Sequence, residues 1–375
     1  MNLLQQEPLQ IAFIGGGVHS AVGYAHFNAT RLDGQFRLVA GCFSRNAEQN
    51  QLSASTYGVN PERTYPTWQA LLDAESGQLD AIIVLTPTPV HAEVVVSALN
   101  AGFAVICEKA LGMSSEECLR IEQVRSEKQG YLAVTFNYSG YPMVREIRRT
   151  IREGKLGTLQ QIQVEMPQEG YLRKGANPQI WRRSDYGVPT VSLDLGVHVH
   201  HLVDFITLGK KPVSVVGDQA SYGQFAEVID NVYSIARYED NVRVQSWWGK
   251  SALGYRNGLR IRVFGSEGSA EWYQMDPEIL SFSDNTGRTF RLDRGSSEAG
   301  LAMESRYNRF KAGHPSGFIE AFANLYADIA TDVRCYRNGC PDTNEFVYGS
   351  LNAAEGMLFL EKVSESSKTN KWVLI

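Results

Sequence analysis

Between Gln10 and Thr135 short, almost unbroken apolar runs alternate with longer stretches of helical period, and few folds accept that alternation. The runs Ile11–Ile14, Phe36–Phe43, Ala81–Thr86, Ala104–Cys107 and Tyr131–Thr135 show no wet face, so each reads as a strand covered on both sides. Trp68–Asp73, His91–Asn100 and Ser115–Gln129 read as helices. The last of these opens on Ser114-Ser115-Glu116-Glu117, a serine cap followed by acids that suit a helix N-terminus. Strands separated by helices predict a doubly wound α/β domain with a parallel sheet, assigned to residues 1–135.

The pattern changes after Gly157. Gln161–Met166 alternates with period two, the mark of a strand with one wet face. Similar runs follow at Val213–Val216, Val232–Tyr238, Val242–Trp248, Leu259–Phe264, Ser269–Tyr273 and Ile279–Phe282, separated by turns such as Glu239-Asp240-Asn241 and Gly265-Ser266-Glu267-Gly268. Closely spaced strands predict a second domain, residues 136–375, of α+β class with a large, mostly antiparallel open sheet. Helices return at Gly317–Val333 and Val347–Ser366 before a short Trp372–Ile375 run.

A chain of 375 residues is too long for one ordinary core and suits two domains. Its apolar share of 43% and charged share of 21% are those of a soluble globular protein. A net charge of -5 gives no reason to expect nucleic acid or an anionic membrane as partner. No apolar run approaches the roughly 18 residues of a membrane helix. Met1–Gln10 lacks the basic and apolar regions of a signal peptide, so a cytoplasmic location is expected. Five scattered cysteines argue against a disulfide framework. Cys42 and Cys107 read as small buried hydrophobes, and the near pair Cys335 and Cys340 lacks a second pair to make a zinc site.

The first strand candidate runs straight into Gly15-Gly16-Gly17. Glycines there let the backbone turn tightly and approach a pyrophosphate at the next helix N-terminus. Gly15 and Gly17 match the first two glycines of the dinucleotide fingerprint, Ser20 stands at the third, and Gly23 lies too late to substitute. Val18 and His19 continue the turn and join the expected cofactor contacts. The second strand ends in Phe43-Ser44-Arg45-Asn46, with no acid to repel a 2′-phosphate. Ser44 can donate a hydrogen bond and Arg45 can pair with a phosphate, which tips the choice between NAD and NADP toward NADP; the plainer reading is an ordinary exposed arginine. Thr86-Pro87-Thr88-Pro89-Val90-His91 is a stiffened loop at a strand's carboxyl end, where such sheets bind ligands. Thr86, Pro87 and His91 are candidate contacts, with helix capping as the alternative for His91.

These features are followed by Glu108-Lys109 and by Asp194-Leu195-Gly196-Val197-His198. Their order resembles the Gfo/Idh/MocA family of nicotinamide-dependent sugar and polyol oxidoreductases, and the likeness spans nearly the whole chain. It implies a Rossmann domain followed by a domain whose open sheet often mediates oligomers. It also implies NAD or NADP as cofactor, with Glu108 and Lys109 beside it. Ala110 stands where the family has proline and Thr88 where it commonly has asparagine, and neither change removes a reactive group.

The resemblance implies roles as well. His198 is the expected general base or acid, since an unperturbed imidazole titrates near working pH. Lys109 holds the substrate oxygen, and Asp194 positions the substrate or hydrogen-bonds His198. If Asp194–Asp204 is helical, residues 194 and 198 share a face with His201 near it, while His200 points elsewhere. A metal held by Asp194, His198 and His201 is chemically reasonable, but no metal is expected, the alternative being that His200 and His201 are packing or interface residues. Tyr138, Trp181 and Arg182 join the substrate candidates, with core packing the alternative for Tyr138 and a loop anchor for Trp181 and Arg182, and His314 either reaches the pocket or caps the late helix. The expected activity is NAD(P)-dependent hydride transfer at a secondary alcohol or ketone of a sugar or cyclitol, its direction not encoded. The rivals are glycoside cleavage by transient oxidation and a sugar- or nucleotide-sensing regulator, the latter opposed by the presence of Lys109, Asp194 and His198. Trp247 or Trp248 on the second sheet predicts a homo-dimer or homo-tetramer.

Overall fold

The computed structural model describes residues 7–340 and 344–375. They form two compact units, one running up to Gly112 and including Glu116–Gly140 and Phe318–Ala354, the other Met113–Ser115, Tyr141–Gly317 and Glu355–Ile375. In chain order the first comprises β1 (Leu9–Gly15), α1 (Gly23–Leu32), β2 (Phe36–Cys42), α2 (Ala47–Tyr57), α3 (Trp68–Ala74), β3 (Ala81–Leu85), α4 (His91–Asn100), β4 (Val105–Cys107), α5 (Ser115–Glu127) and β5 (Leu132–Val134). All five strands are parallel, in the order β2-β1-β3-β4-β5. Because β1 is flanked by β2 and β3, the strand order reverses there, and the carboxyl ends of β1 and β3 frame a crevice of the kind that takes ligands. The central strands show almost no exposed side chain: Ile11, Phe13, Ile83 and Ile106 are fully buried, each contributing roughly 2 kcal/mol on leaving water.

The second unit comprises α6 (Pro142–Arg152), β6 (Leu159–Pro167), α7 (Val197–Ile206), β7 (Pro212–Ala220), β8 (Asn231–Tyr238), β9 (Arg243–Gly249), β10 (Arg260–Gly265), β11 (Gly268–Tyr273), β12 (Leu280–Asp284) and β13 (Thr289–Leu292). Then come α8 (Phe318–Arg337), α9 (Ser350–Thr369) and β14 (Val373–Leu374). The nine-stranded sheet, β13-β12-β11-β10-β6-β9-β8-β7-β14, is antiparallel except for the β6–β9 pair. Period-two burial along β8 and β9 leaves one face wet. Trp248 points inward and is fully buried, so of the two candidates for the open face it is Trp247 that lies there, stacked on Tyr233 at 5.9 Å.

One boundary and one strand differ from expectation. Helix α8 belongs to the first unit: Phe322, Tyr326, Ile329 and Val333 complete the core made by Ile11, Phe13 and Ile83. A second domain running unbroken from residue 136 therefore does not describe the arrangement, because a helix distant in sequence supplies a face that the first sheet needs covered. Strand β13 was not expected at all: three of its four residues are exposed, so it carries no apolar run. Among the described residues no helix is long and apolar enough to cross a membrane.

Candidate active site

The glycine turn of the first unit is shaped by close approach. Gly15 and Gly16 take φ of +83° and +69°, and a Cβ on Gly15 would stand 2.7 Å from the Leu85 carbonyl. A Cβ on Gly23 would stand 2.0 Å from the Gly16 oxygen. Gly23, set aside in the sequence as too late, thus provides the close helix–strand contact usually given by the third fingerprint glycine. Ser20 serves differently, its Oγ accepting the Val22 and Gly23 N–H groups at 3.3 and 3.2 Å to start α1. One turn of α2 fastens the loop: Ser53 Oγ accepts from Val18 N–H at 3.1 Å, and the Tyr57 hydroxyl donates to the Gly16 carbonyl at 3.0 Å. Burial pushes the Tyr57 phenol up to about 12, with Tyr24 adding to it, so it remains a donor. Val18 is half-buried and His19 exposed.

At the end of β2, Asn50 Oδ1 accepts the Phe43 N–H at 2.7 Å and fixes the approach to Ser44. Ser44 is half-buried; Arg45 is exposed and makes no ion pair among the described residues. Beyond β3, the buried Thr86 Oγ1 has no hydrogen-bond partner among the described residues. A cradle that side chains would fill, with an orphaned hydroxyl beside it, fits a dinucleotide. Pro87 is exposed in the same loop. His91 is buried, and its ring nitrogens lie 2.7 Å from the Thr86 and Ala110 carbonyls, so it clamps two loops together rather than lining the crevice. Burial is the main cause holding its imidazole below the usual range, against the two carbonyls.

Glu108 follows β4 and is buried. Its Oε1 accepts from His26 Nε2 at 3.1 Å and from the Thr135 hydroxyl at 2.7 Å. Burial alone raises its carboxyl, but the hydrogen bond and charge of His26, with Lys109 and Thr135, outweigh it and hold the group below the usual range. Lys109 is half-buried and joined to Ala110 by a cis peptide. Tyr138 is buried with its ring 6.1 Å from Phe318.

In the second unit the chain enters α7 through a π-helical turn at Ser192–Gly196, where Val197 N–H reaches back to the Ser192 carbonyl. The expectation of one regular helix from 194 is corrected at this point. A Cβ on Gly196 would meet Leu360 at 2.8 Å and Trp248 at 3.1 Å, and Trp248 Nε1 donates to Ser192 Oγ at 3.0 Å. The turn thus lies flat against a buried tryptophan. Asp194 Oδ2 is held by Lys250 Nζ at 2.5 Å and by an Arg182 guanidinium nitrogen at 2.7 Å. The Arg182 contact is an ion pair rather than an aligned hydrogen bond. Arg182 also lies over the Trp181 ring at 4.5 Å, and Lys250 Nζ is 5.2 Å from the centre of the Tyr171 ring. His198 is buried on the first turn of α7.

His200 and His201 face the interior, the first beside Phe359 and the second beside Phe205. Burial pushes His200 down to about 4, Lys211 adding to the effect, and pushes His201 well below its usual range. No group of three metal-ligating side chains gathers among the described residues. His314 is exposed, and its carbonyl accepts from Arg294 at 2.9 Å. It precedes α8 by four residues and does not cap it. Sequence reasoning missed Lys250, His26, Ser53, Tyr57 and Gly23. The position of Lys250 just past a strand rich in tryptophan was the one available signal; the Gly23 contact is with Gly16 across the turn, and those of His26, Ser53 and Tyr57 join segments distant in sequence.

Residues 9–136 match a family model described as an oxidoreductase family with an NAD-binding Rossmann fold, and residues 144–271 match the GFO/IDH/MocA C-terminal domain. The chain is 30% identical to an uncharacterized oxidoreductase of Bacillus subtilis over 98% of this chain and 97% of that one. It is 26% identical to an inositol 2-dehydrogenase of Rhizobium meliloti over 75% and 80% of the two chains. An inositol dehydrogenase homolog from Azotobacter vinelandii, solved with NADH and myo-inositol, superposes with a TM-score of 0.89 at 27% identity, covering 98% of each chain. With its glycine cradle in a parallel sheet and its large, mostly antiparallel second sheet, the chain belongs to the Gfo/Idh/MocA family of NAD-binding oxidoreductases.

Proposed function

We propose that this oxidoreductase transfers a hydride to or from a secondary alcohol or ketone carbon of a sugar or cyclitol, with His198 as general base or acid and Lys109 holding the substrate oxygen. The observation that carries the reading is the Asp194 carboxylate, fixed between Lys250 and Arg182 four residues ahead of a buried histidine. The likeness at 27% identity to a protein solved with myo-inositol supports the substrate class.

When bound, the nicotinamide ring supplies the hydride acceptor or donor. His198 takes the hydroxyl proton as the carbon is oxidised, or returns it in the reverse direction. Lys109 donates to the oxygen as alkoxide character develops. Asp194, held in place by two cations, offers its carboxylate to a neighbouring substrate hydroxyl, and the stacked Trp181–Arg182 pair provides a flat face with donors for a polyol. Around the adenosine ribose, Ser44 and Arg45 favour NADP, because no acid at the β2 tip repels the extra phosphate.

The test is turnover of a panel of cyclitols and sugars with each nicotinamide nucleotide, followed by the absorbance of the reduced ring. His198→Asn should lower kcat by about 10²–10⁴-fold while leaving nucleotide affinity unchanged. Cleavage of a glycoside without net change in absorbance would replace this reading by transient oxidation. Failure to bind either nucleotide would overturn it.

A further inference from the structure

Lys250 enters the proposed reaction only as one of two cations on Asp194, yet its other contacts tie that carboxylate to the loop carrying Trp181 and Arg182. Its backbone N–H donates to the Asp230 carbonyl at 2.7 Å, and its carbonyl accepts the Tyr171 N–H at 2.9 Å. Its ammonium reaches Asp194 Oδ2 at 2.5 Å and lies 5.2 Å from the centre of the Tyr171 ring. The Tyr171 hydroxyl donates to the Arg182 carbonyl at 3.4 Å, and the Arg182 guanidinium returns to the same Asp194 oxygen at 2.7 Å. Asp194, Lys250, Tyr171 and Arg182 thus form a closed circuit within the second unit. Two more acids lie near Tyr171, Asp185 and Asp230. Backbone N–H groups engage both: Thr190 at 2.9 Å and Ile229 at 2.6 Å on Asp185, Gly223 at 2.6 Å on Asp230. Asp194 is the carboxylate on which both cations converge.

The two cations hold it differently. Lys250 donates an aligned hydrogen bond from a side chain 11% exposed, whereas Arg182, 22% exposed, makes an ion pair without one. A guanidinium left alone with a carboxylate closes on it through two parallel N–H···O bonds. An ammonium is a compact point charge, and one already seated on Oδ2 blocks that closure. We infer that Lys250 is a positioning residue for the substrate: by occupying Asp194 Oδ2 it keeps Arg182 from closing on the carboxylate, so the two groups stand side by side for adjacent hydroxyls of a polyol. One hydroxyl donates to the carboxylate and its neighbour accepts from the guanidinium. The 2.7 Å between the Asp194 oxygen and the Arg182 nitrogen also matches the close spacing of adjacent hydroxyls on a ring. The inference rests on the proposed reaction and narrows its substrates to those with a second hydroxyl next to the reacting carbon. Without Lys250, Asp194 and Arg182 spend their hydrogen bonds on each other.

The experiment compares Lys250→Met with the parent in the full-length protein. Met fills the space of the aliphatic stem and removes the ammonium; Lys250→Gln, equally uncharged but polar, gives the same readouts should Met be poorly tolerated there. The first readout is kcat/KM for the fastest substrate of the cyclitol and sugar panel and for its analogue lacking the hydroxyl next to the reacting carbon. The parent should prefer the full substrate by about ten- to hundredfold, the worth of a hydrogen bond to a charged group. Lys250→Met should lose most of that preference while nucleotide affinity holds. A general loss of packing would lower both values alike and keep their ratio, which would overturn the inference. The second readout needs no substrate: the rate at which phenylglyoxal modifies Arg182, followed by mass spectrometry. A guanidinium closed on Asp194 is shielded, so Lys250→Met should slow that reaction. An equal or faster rate would mean that Lys250 does not hold the pair apart, and the inference would fall. Slowed modification in a protein that oxidises no member of the panel would uphold the role of Lys250 and sink the proposed reaction instead.

Discussion

Gly23 and Ser20 show what single residues contribute to the cradle. A methyl on Gly23 would collide with the Gly16 carbonyl at 2.0 Å, so Gly23→Ala should push α1 off β1 and abolish nucleotide binding, measured by titration calorimetry. Tyr57→Phe is gentler. It deletes the hydrogen bond to the Gly16 carbonyl and should weaken nucleotide binding about fivefold, the worth of roughly 1 kcal/mol, with the fold intact by circular dichroism. Arg45→Ala should cost NADPH about tenfold or more in affinity and leave NADH unchanged; equal losses for both would make Arg45 an ordinary surface residue. The glycine-rich turn was legible because a strand followed by glycines has few other uses. The function of Gly23 was not, since the fingerprint counts positions along the chain whereas the clash is with a carbonyl across the turn.

At the scale of elements, α7 is enclosed on every side: all of Val197–Ile206 is buried, His200 and His201 included. These histidines stay neutral in the fold and take up protons in the unfolded chain. Their contribution is therefore intact above about pH 6.5 and is lost as pH falls toward the depressed value of about 4 at His200. His200 alone is worth on the order of 3 kcal/mol across that window. Urea midpoints of His200→Leu should accordingly change less between pH 7 and pH 4 than those of the parent protein. The π turn ahead of α7 could not be read from spacing either, because Trp248, more than fifty residues away, is the group that lies against Gly196.

For the molecule as a whole, ligand linkage provides the broadest check. A nucleotide at a hundred times its Kd should stabilise the unit that binds it by about 2.7 kcal/mol, read as a rise in Tm. We also propose that the open face of the second sheet, with Trp247 stacked on Tyr233 and Ile235 exposed, pairs with another copy of this chain. Light scattering should give a dimer or tetramer, and Trp247→Lys should shift it toward monomer; a parent protein that is monomeric at micromolar concentration would exclude that interface.

Most strands of both sheets were legible because period and apolar content are local properties, set by which faces each segment must bury. Glu108, Lys109, Asp194 and His198 were singled out in the sequence as part of a family pattern, and their roles are the proposal above. The tertiary structure decided the partners. It placed α8 in the core of the first unit, tied Glu108 to His26 and Thr135, and set Lys250 and Arg182 on one Asp194 oxygen. Those pairings join segments tens to hundreds of residues apart. A buried charge selects its partner by proximity in the fold, and no periodicity along the chain encodes that choice.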